Sequence, residues 1–321
     1  MNAAQSVTVR SALSVTSGVK GADGSGTADA ARQGQGGAGG NASFTAGTLS
    51  APTIKLTKND GALNFTVTNL QIGSTDTTLT ANGIDTASIT NLRLTGTGGK
   101  FTLEGDATAN VSVGQLVIDG GTINSGNYAN LIGGSFYTTS DITLGSGGAK
   151  FDTSGGNQMV NRKLEGAGSL TKTGAGELIL SNTNTYTGGT KISNGILSIA
   201  ASANIGPVGN GVNEINGGTL KLTGTSQTYT NNWTLTGSGN NIETANPNTI
   251  SGILSGTGGF TKTGAGTLTL SNANTYGGAT TISAGTLALF GNGSIAFLGQ
   301  TAVAGNVAAE RAALNGQAVC A

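Results

Sequence analysis

Residues 166–199 read GAGSLTKTGAGELILSNTNTYTGGTKISNGILSI, and residues 256–289 read GTGGFTKTGAGTLTLSNANTYGGATTISAGTLAL. The second passage follows the first at an offset of 90 residues without a gap, and 21 of 34 positions are identical. A tandem repeat constrains the fold strongly, because one unit cannot bury its apolar face alone and must stack on its neighbours. Upstream, Ile142-Thr-Leu and Phe151-Asp-Thr align with Trp233-Thr-Leu and Ile242-Glu-Thr, so the large unit begins near Tyr137 and again near Tyr229.

A smaller period lies inside the large one. The phrase Gly-x-Leu-x-aliphatic starts at Gly176, Gly195, Gly218, Gly266 and Gly285. Its Leu residues are spaced by 19 (Leu178 to Leu197), 23 (Leu197 to Leu220) and again 19 (Leu268 to Leu287). Within each phrase the pattern alternates: Leu178 and Leu180 share one face, and Glu177, Ile179 and Ser181 the other. Alternation of period 2 bounded by Gly and Asn reads as a short strand. A strand returning about every 20 residues reads as the coil of a β-helix. Stacking such coils turns the Leu positions into continuous inward rows and pairs every backbone group.

The same pattern assigns the turns. Asn194-Gly195, Gly188-Gly189, Gly217-Gly218 and Asn292-Gly293 are expected at corners that need positive φ. Asn182 and Asn184, with Asn272 and Asn274, are expected to stack as amide ladders. Glu177 is expected to tolerate replacement, and Leu178 to be intolerant of it.

Five regions follow from the pattern. Residues 1–43 are read as a flexible Gly/Ala-rich leader or N-terminal cap. Residues 44–136 carry short strand phrases such as Leu63-Asn-Phe-Thr-Val and Phe101-Thr-Leu, and are read as degenerate solenoid coils. Residues 137–228 and 229–299 are the two large repeats. Residues 300–321 are an atypical Ala-rich tail, read as a cap or a truncation, with scope for one short helix.

Composition enters as an exclusion. Gly, Thr, Asn and Ser supply 57, 49, 31 and 27 residues, which is about half the chain. A chain so rich in polar small residues would be disordered unless its aliphatics recurred in a pattern, and here they do. Acids and bases balance at 15 each, so no basic face is expected and nucleic acid is not a partner. His is absent and Cys320 is the single cysteine, which removes disulfides, the commonest zinc ligand and a Cys–His nucleophile. The opening MNAAQSVTVRSALSVTSG lacks the apolar core of a signal peptide, and no run reaches the length of a membrane helix.

Candidate chemistry is sparse. Glu104 and Asp106, at i and i+2, share a strand face and form the closest acid pair; Asp85 lies 21 residues before Asp106 and stacks on an adjacent coil if the period holds. A glycan-cleaving site needs such carboxylates clustered on neighbouring coils, but a solvated outer face is the preferred reading. Lys172 and Lys262 occupy matching positions in TKTG. An anionic glycan contact is one reading, and an edge-protecting, solubilising charge the preferred one. Tyr186, Tyr276 and Trp233 offer rings for sugar stacking, but corner packing is preferred. Gly174-Ala-Gly176 lacks the Lys-Ser/Thr of a phosphate loop. No catalytic, cofactor-binding or metal-binding residue is assigned, no cofactor is expected, and the binding residues are unknown.

The order of motifs in Leu170–Leu197, LTKTGAG, then LxLS, then NTYxGG, then an Asn-Gly turn before Leu, resembles the passenger-associated transport repeat of autotransporters; Phe260–Leu287 is a second copy. The resemblance implies an all-β, right-handed parallel β-helix, carried to the bacterial cell surface or released there, with repeats that aid export and folding. It also implies an outer-membrane barrel. This chain does not carry the further strands of one, and its last residues, Val319-Cys320-Ala321, lack the terminal aromatic of such barrels, so the barrel is expected outside it. The function expected is a structural or adhesive surface passenger, not an enzyme, that contacts a host or cell-surface glycan or protein. The alternatives are a glycan-active β-helix enzyme and a non-functional truncated fragment.

Overall fold

The computed structural model describes residues 140–207 and 211–295 continuously. It also describes the strands between Ser6 and Thr138, residues 120–121, and the strand Asn306–Ala309; before residue 140, side chains are described at 70, 88–95, 100–102 and 112–124. The chain divides into two compact units, Met1–Leu170 and Thr171–Ala321. Both are parallel β-solenoids, as the period predicts.

In the first unit two parallel sheets alternate along the chain. One is formed by Ser6–Thr8, Ala42–Ser50, Leu63–Ile72, Thr86–Thr95, Val111–Asp119, Ile142–Leu144 and Leu164–Glu165. The other contains Ala12–Thr16, Thr53–Thr57, Thr77–Asn82, Lys100–Gly105, Thr122–Asn124 and Ala149–Asp152. The region read as a leader thus contributes paired strands: Val7 faces Leu49, and Leu13 faces Ile54. In-register pairing aligns Leu70, Leu92, Leu116, Ile142 and Leu164 into one inward row. Each is at most 1% exposed. Burial of one such side chain contributes about 1.5–3 kcal/mol, which is why a row of single aliphatics from separate coils can hold the stack.

The second unit has three sides of its own. Lys191 and Ile192 pair with Glu214 and Ile215, and these with Thr234 and Leu235, along the first side. The second side stacks Glu177–Leu180, Ile196–Ile199, Thr219–Leu222, Asn241–Thr244, Phe260–Thr263 and Thr280–Ile282. The third stacks Gln227–Tyr229, Asn248–Ile250, Thr267–Leu270, Thr286–Leu289 and Asn306–Ala309. Within the Ala-rich tail, which has scope for one short helix, the described segment is the strand Asn306–Ala309; the rest of the tail lies outside the described residues. It pairs in parallel with Thr286–Leu289, Leu287 opposite Val307 and Leu289 opposite Ala309, so pairing with an existing sheet edge overrides local Ala propensity there.

Register gives the coil length directly. Leu178, Leu197, Leu220, Ile242, Lys262 and Ile282 form one row, in steps of 19, 23, 22, 20 and 20 residues. Leu268, the repeat mate of Leu178, does not belong to this row. It lies six residues beyond Lys262, on the third side, facing Asn248 and Leu287. The 90-residue repeat therefore spans four coils and one extra side, and the same sequence is presented on different sides of the second unit.

Candidate functional site: the buried-lysine corner

Residues that the two repeats share converge on corners between coils. In the first copy, the strand Leu170–Thr173 ends at Gly174, and the next coil returns through Thr190–Ile192 to Asn194-Gly195. Lys172 points inward and is 0% exposed. Its Nζ donates to the main-chain carbonyls of Thr173 at 2.9 Å, Gly174 at 2.8 Å and, on the next coil, Asn194 at 3.1 Å. The second copy repeats this: Lys262, also 0% exposed, donates to Thr263 at 2.7 Å, Gly264 at 2.7 Å and Ala284 at 3.1 Å. Burial pushes the Lys262 pKa below its ordinary value, and the Glu243 carboxylate pulls in the opposite direction.

This corrects the reading of both lysines as solubilising edge charges, and removes them as exposed contacts for an anionic glycan. An ammonium can be buried only where its hydrogen bonds are replaced, and in each copy the corner supplies three main-chain carbonyls that do so. The sequence held a signal for this. Lys262 has the same parity as Phe260, and Lys172 the same parity as Leu170, so strict alternation places both inward. The general tendency of Lys to stay exposed outweighed that parity.

The corner needs glycine at one position in each copy. Gly195 has φ +64° and Gly285 φ +71°. A Cβ on Gly195 would come within 2.7 Å of Lys172 Nζ and collide with the Gly174 and Gly176 carbonyls. The expected positive-φ corners at Gly189 and Gly217 are also observed; near Asn292 the positive φ falls on Gly291.

The aromatic candidates are structural, as preferred from the sequence. Tyr186 and Tyr276 are 0% exposed, and their hydroxyls hydrogen-bond Thr190 Oγ1 at 2.6 Å and Thr280 Oγ1 at 2.5 Å. Burial raises the Tyr186 pKa to about 12, against the hydrogen bonds to Thr190 and the Gly206 main chain. Phe260 meets Tyr276 edge-on at 5.6 Å between ring centroids. Trp233 is buried facing Leu254.

The expected amide ladders take a different form. Asn204 Nδ2 donates to the Asn182 carbonyl at 3.0 Å, Asn272 Nδ2 to Ser251 at 3.0 Å, and Asn274 Nδ2 to Ser294 at 2.7 Å. These side chains satisfy main-chain carbonyls of the neighbouring coil. The loops leave strand geometry, and main-chain groups there need partners that the ladder does not provide.

Outward charges are paired, most of them across coils. Lys191 meets Glu214 at 2.9 Å, Lys163 meets Glu165 at 2.7 Å and Asp141 at 3.2 Å, and Lys221 meets Glu177 at 3.3 Å. Glu177 also accepts a hydrogen bond from Ser198 Oγ. It is thus not the indifferent outer residue expected. Asp152 is pushed up by burial but brought down to about 2 by Asn124, Lys100 and Ser154. The Glu104 and Asp106 carboxylates, Asp85 and Cys320 lie outside the described residues. Among the described residues no cluster of three metal-ligating side chains occurs, and no helix is long and apolar enough to cross a membrane.

Stacked parallel coils, inward aliphatic rows and repeated lysine corners define a parallel β-solenoid. Residues 170–199 and 260–289 match the passenger-associated-transport-repeat family, so the chain carries two segments similar to that repeat. It is 39% identical over 161 residues to "Adhesin BmaC autotransporter" of Brucella suis biovar 1 (strain 1330), a match that covers 49% of this chain and 4% of that protein. No solved structure matches the chain.

Proposed function

We propose that this chain is an adhesive, non-catalytic passenger segment displayed on the cell surface, tethered by an outer-membrane barrel outside it, and that its two repeats promote folding during export. One observation carries the reading of the repeats. Lys172, Tyr186 and Thr190, and their mates Lys262, Tyr276 and Thr280, are all turned inward. What the copies share serves the fold, and the four-coils-plus-one-side spacing presents their outer surfaces in different directions. Contact with a partner then falls to the outward columns between them, such as Thr219, Asn241, Thr261 and Thr281. These are polar and bear no charge, which suits a glycan or protein surface better than a polyanion. The adhesin relative supports the adhesive reading.

The test places the full chain between an export signal and an outer-membrane barrel in a non-adherent bacterium. Protease-accessible display with binding to host cells or a glycan array above the barrel alone supports the proposal. Display without binding, together with turnover of any member of a polysaccharide panel, contradicts it in favour of an enzyme.

A further inference from the structure

We propose that Lys172 and Lys262 are register locks: each makes correct stacking of one coil on the next the only arrangement that satisfies its buried ammonium. The problem they solve is inherent in the repeat. Strand side chains alternate with period 2, so a slip of one residue turns the aliphatics outward and is forbidden, but a slip of two keeps them inside. In Phe260-Thr-Lys262-Thr against Thr280-Thr-Ile282, a two-residue slip places Phe260 on Ile282 and costs the apolar row little. A chain of near-identical Thr-Leu-Thr phrases offers many such slips, most of all while it folds progressively during export.

The lysine does not tolerate the slip. Its Nζ contacts two carbonyls fixed by its own corner, Thr263 and Gly264, and a third on the next coil, Ala284. Moving the next strand by two residues displaces that third carbonyl by about 6.6 Å, leaving a desolvated ammonium with an open position. The first copy has the same arrangement, with the inter-coil carbonyl again 22 residues on, at Asn194. In Lys262's row the neighbours on both sides are aliphatic, Ile242 and Ile282. A single polar group in an apolar row is the arrangement by which a buried Asn sets register in a coiled coil, where it trades stability for uniqueness. The proposal deepens the reading of the repeats as folding aids, and rests on that reading for its biological purpose. The biochemical test below is independent of adhesion, so the two can fail separately.

Register is read by disulfide trapping in the full-length chain carrying Cys320→Ser. Thr261 and Thr281 are register partners. The pair Thr261→Cys with Thr281→Cys reports the native stacking. The pair Thr261→Cys with Ser283→Cys reports the two-residue slip, because in native register these Cα atoms are about 8 Å apart and cannot be bridged. With Lys262 present, only the first pair should oxidise. In Lys262→Met, which keeps an apolar side chain in the row, bridging of the second pair should rise about tenfold or more, the change that loss of one register-specific contact makes between two registers. Restoration of the native-only pattern by Lys262→Arg would support the lock further. Unchanged bridging in Lys262→Met overturns the proposal. So does loss of strand signal in that variant, since it would make the ammonium a source of stability and not of register.

Discussion

Lys172 and Lys262, ninety residues apart, hold the same three-carbonyl cage on different sides of the second unit, one beside Ser193 and the other between Ile242 and Ile282. The repeat conserves a corner, not a direction.

Removing the lysine should cost more than removing a surface charge. Lys262→Ala deletes a long buried side chain and leaves a cavity in the row between Ile242 and Ile282. A loss of about 2–5 kcal/mol is expected, in the range of large-to-small core substitutions, and Lys172→Ala should match it. Denaturant midpoints of the two variants check this, with Lys150→Ala, an exposed lysine, as the silent control.

The corner glycine should be equally intolerant. Gly195→Ala forces a side chain into left-handed backbone and against Lys172 Nζ. It should destabilise by more than the ~1 kcal/mol of a Gly/Ala propensity change, and with the opposite sign to a helix. Gly285→Ala should follow it in the same thermal melts.

Adjacent residues on one strand should differ in degree. Leu178→Asp buries an unpaired carboxylate in the row with Leu197 and should cost more than about 3 kcal/mol. Glu177→Lys places a cation beside Lys221 and loses the Ser198 contact. Its cost should be measurable but about 1 kcal/mol or less, since the pair is partly solvated. Equal effects would show that the register is wrong.

Stability should fall at both pH extremes for identifiable reasons. The Tyr186 hydroxyl titrates at about 12 when folded, above its unfolded value of 10.0. The unfolded chain releases this proton first, so the stabilisation is complete below pH 10.0 and is lost as pH rises from there to about 12. Tyr186→Phe should flatten that alkaline limb. Asp152 has the opposite sign: its folded value of about 2 lies below 3.8, so its contribution is present above that value and fades as pH falls through 2. Asp152→Asn should flatten the acid limb, as followed by circular dichroism.

The coil period and the Leu rows were legible because alternation and spacing are strictly local properties of the chain. Leu178, Leu197 and Leu220 could be placed in one row by counting alone. Lys262 was not, although its parity with Phe260 pointed inward, because recognising a buried ammonium requires knowing that Ala284 O would lie above it. The Asn272 and Asn274 contacts were hidden for the same reason: their partners, Ser251 and Ser294, belong to other coils. The strand at Asn306–Ala309 depended on an edge that only the stacked coils create.

The buried lysines are the claim most directly open to measurement. Brief acetylation of the native chain, read by mass spectrometry at each lysine, should modify Lys150, Lys191 and Lys221 and leave Lys172 and Lys262 protected until the chain is unfolded. Modification of Lys172 and Lys262 at the rate of Lys150 in the native state would contradict the account.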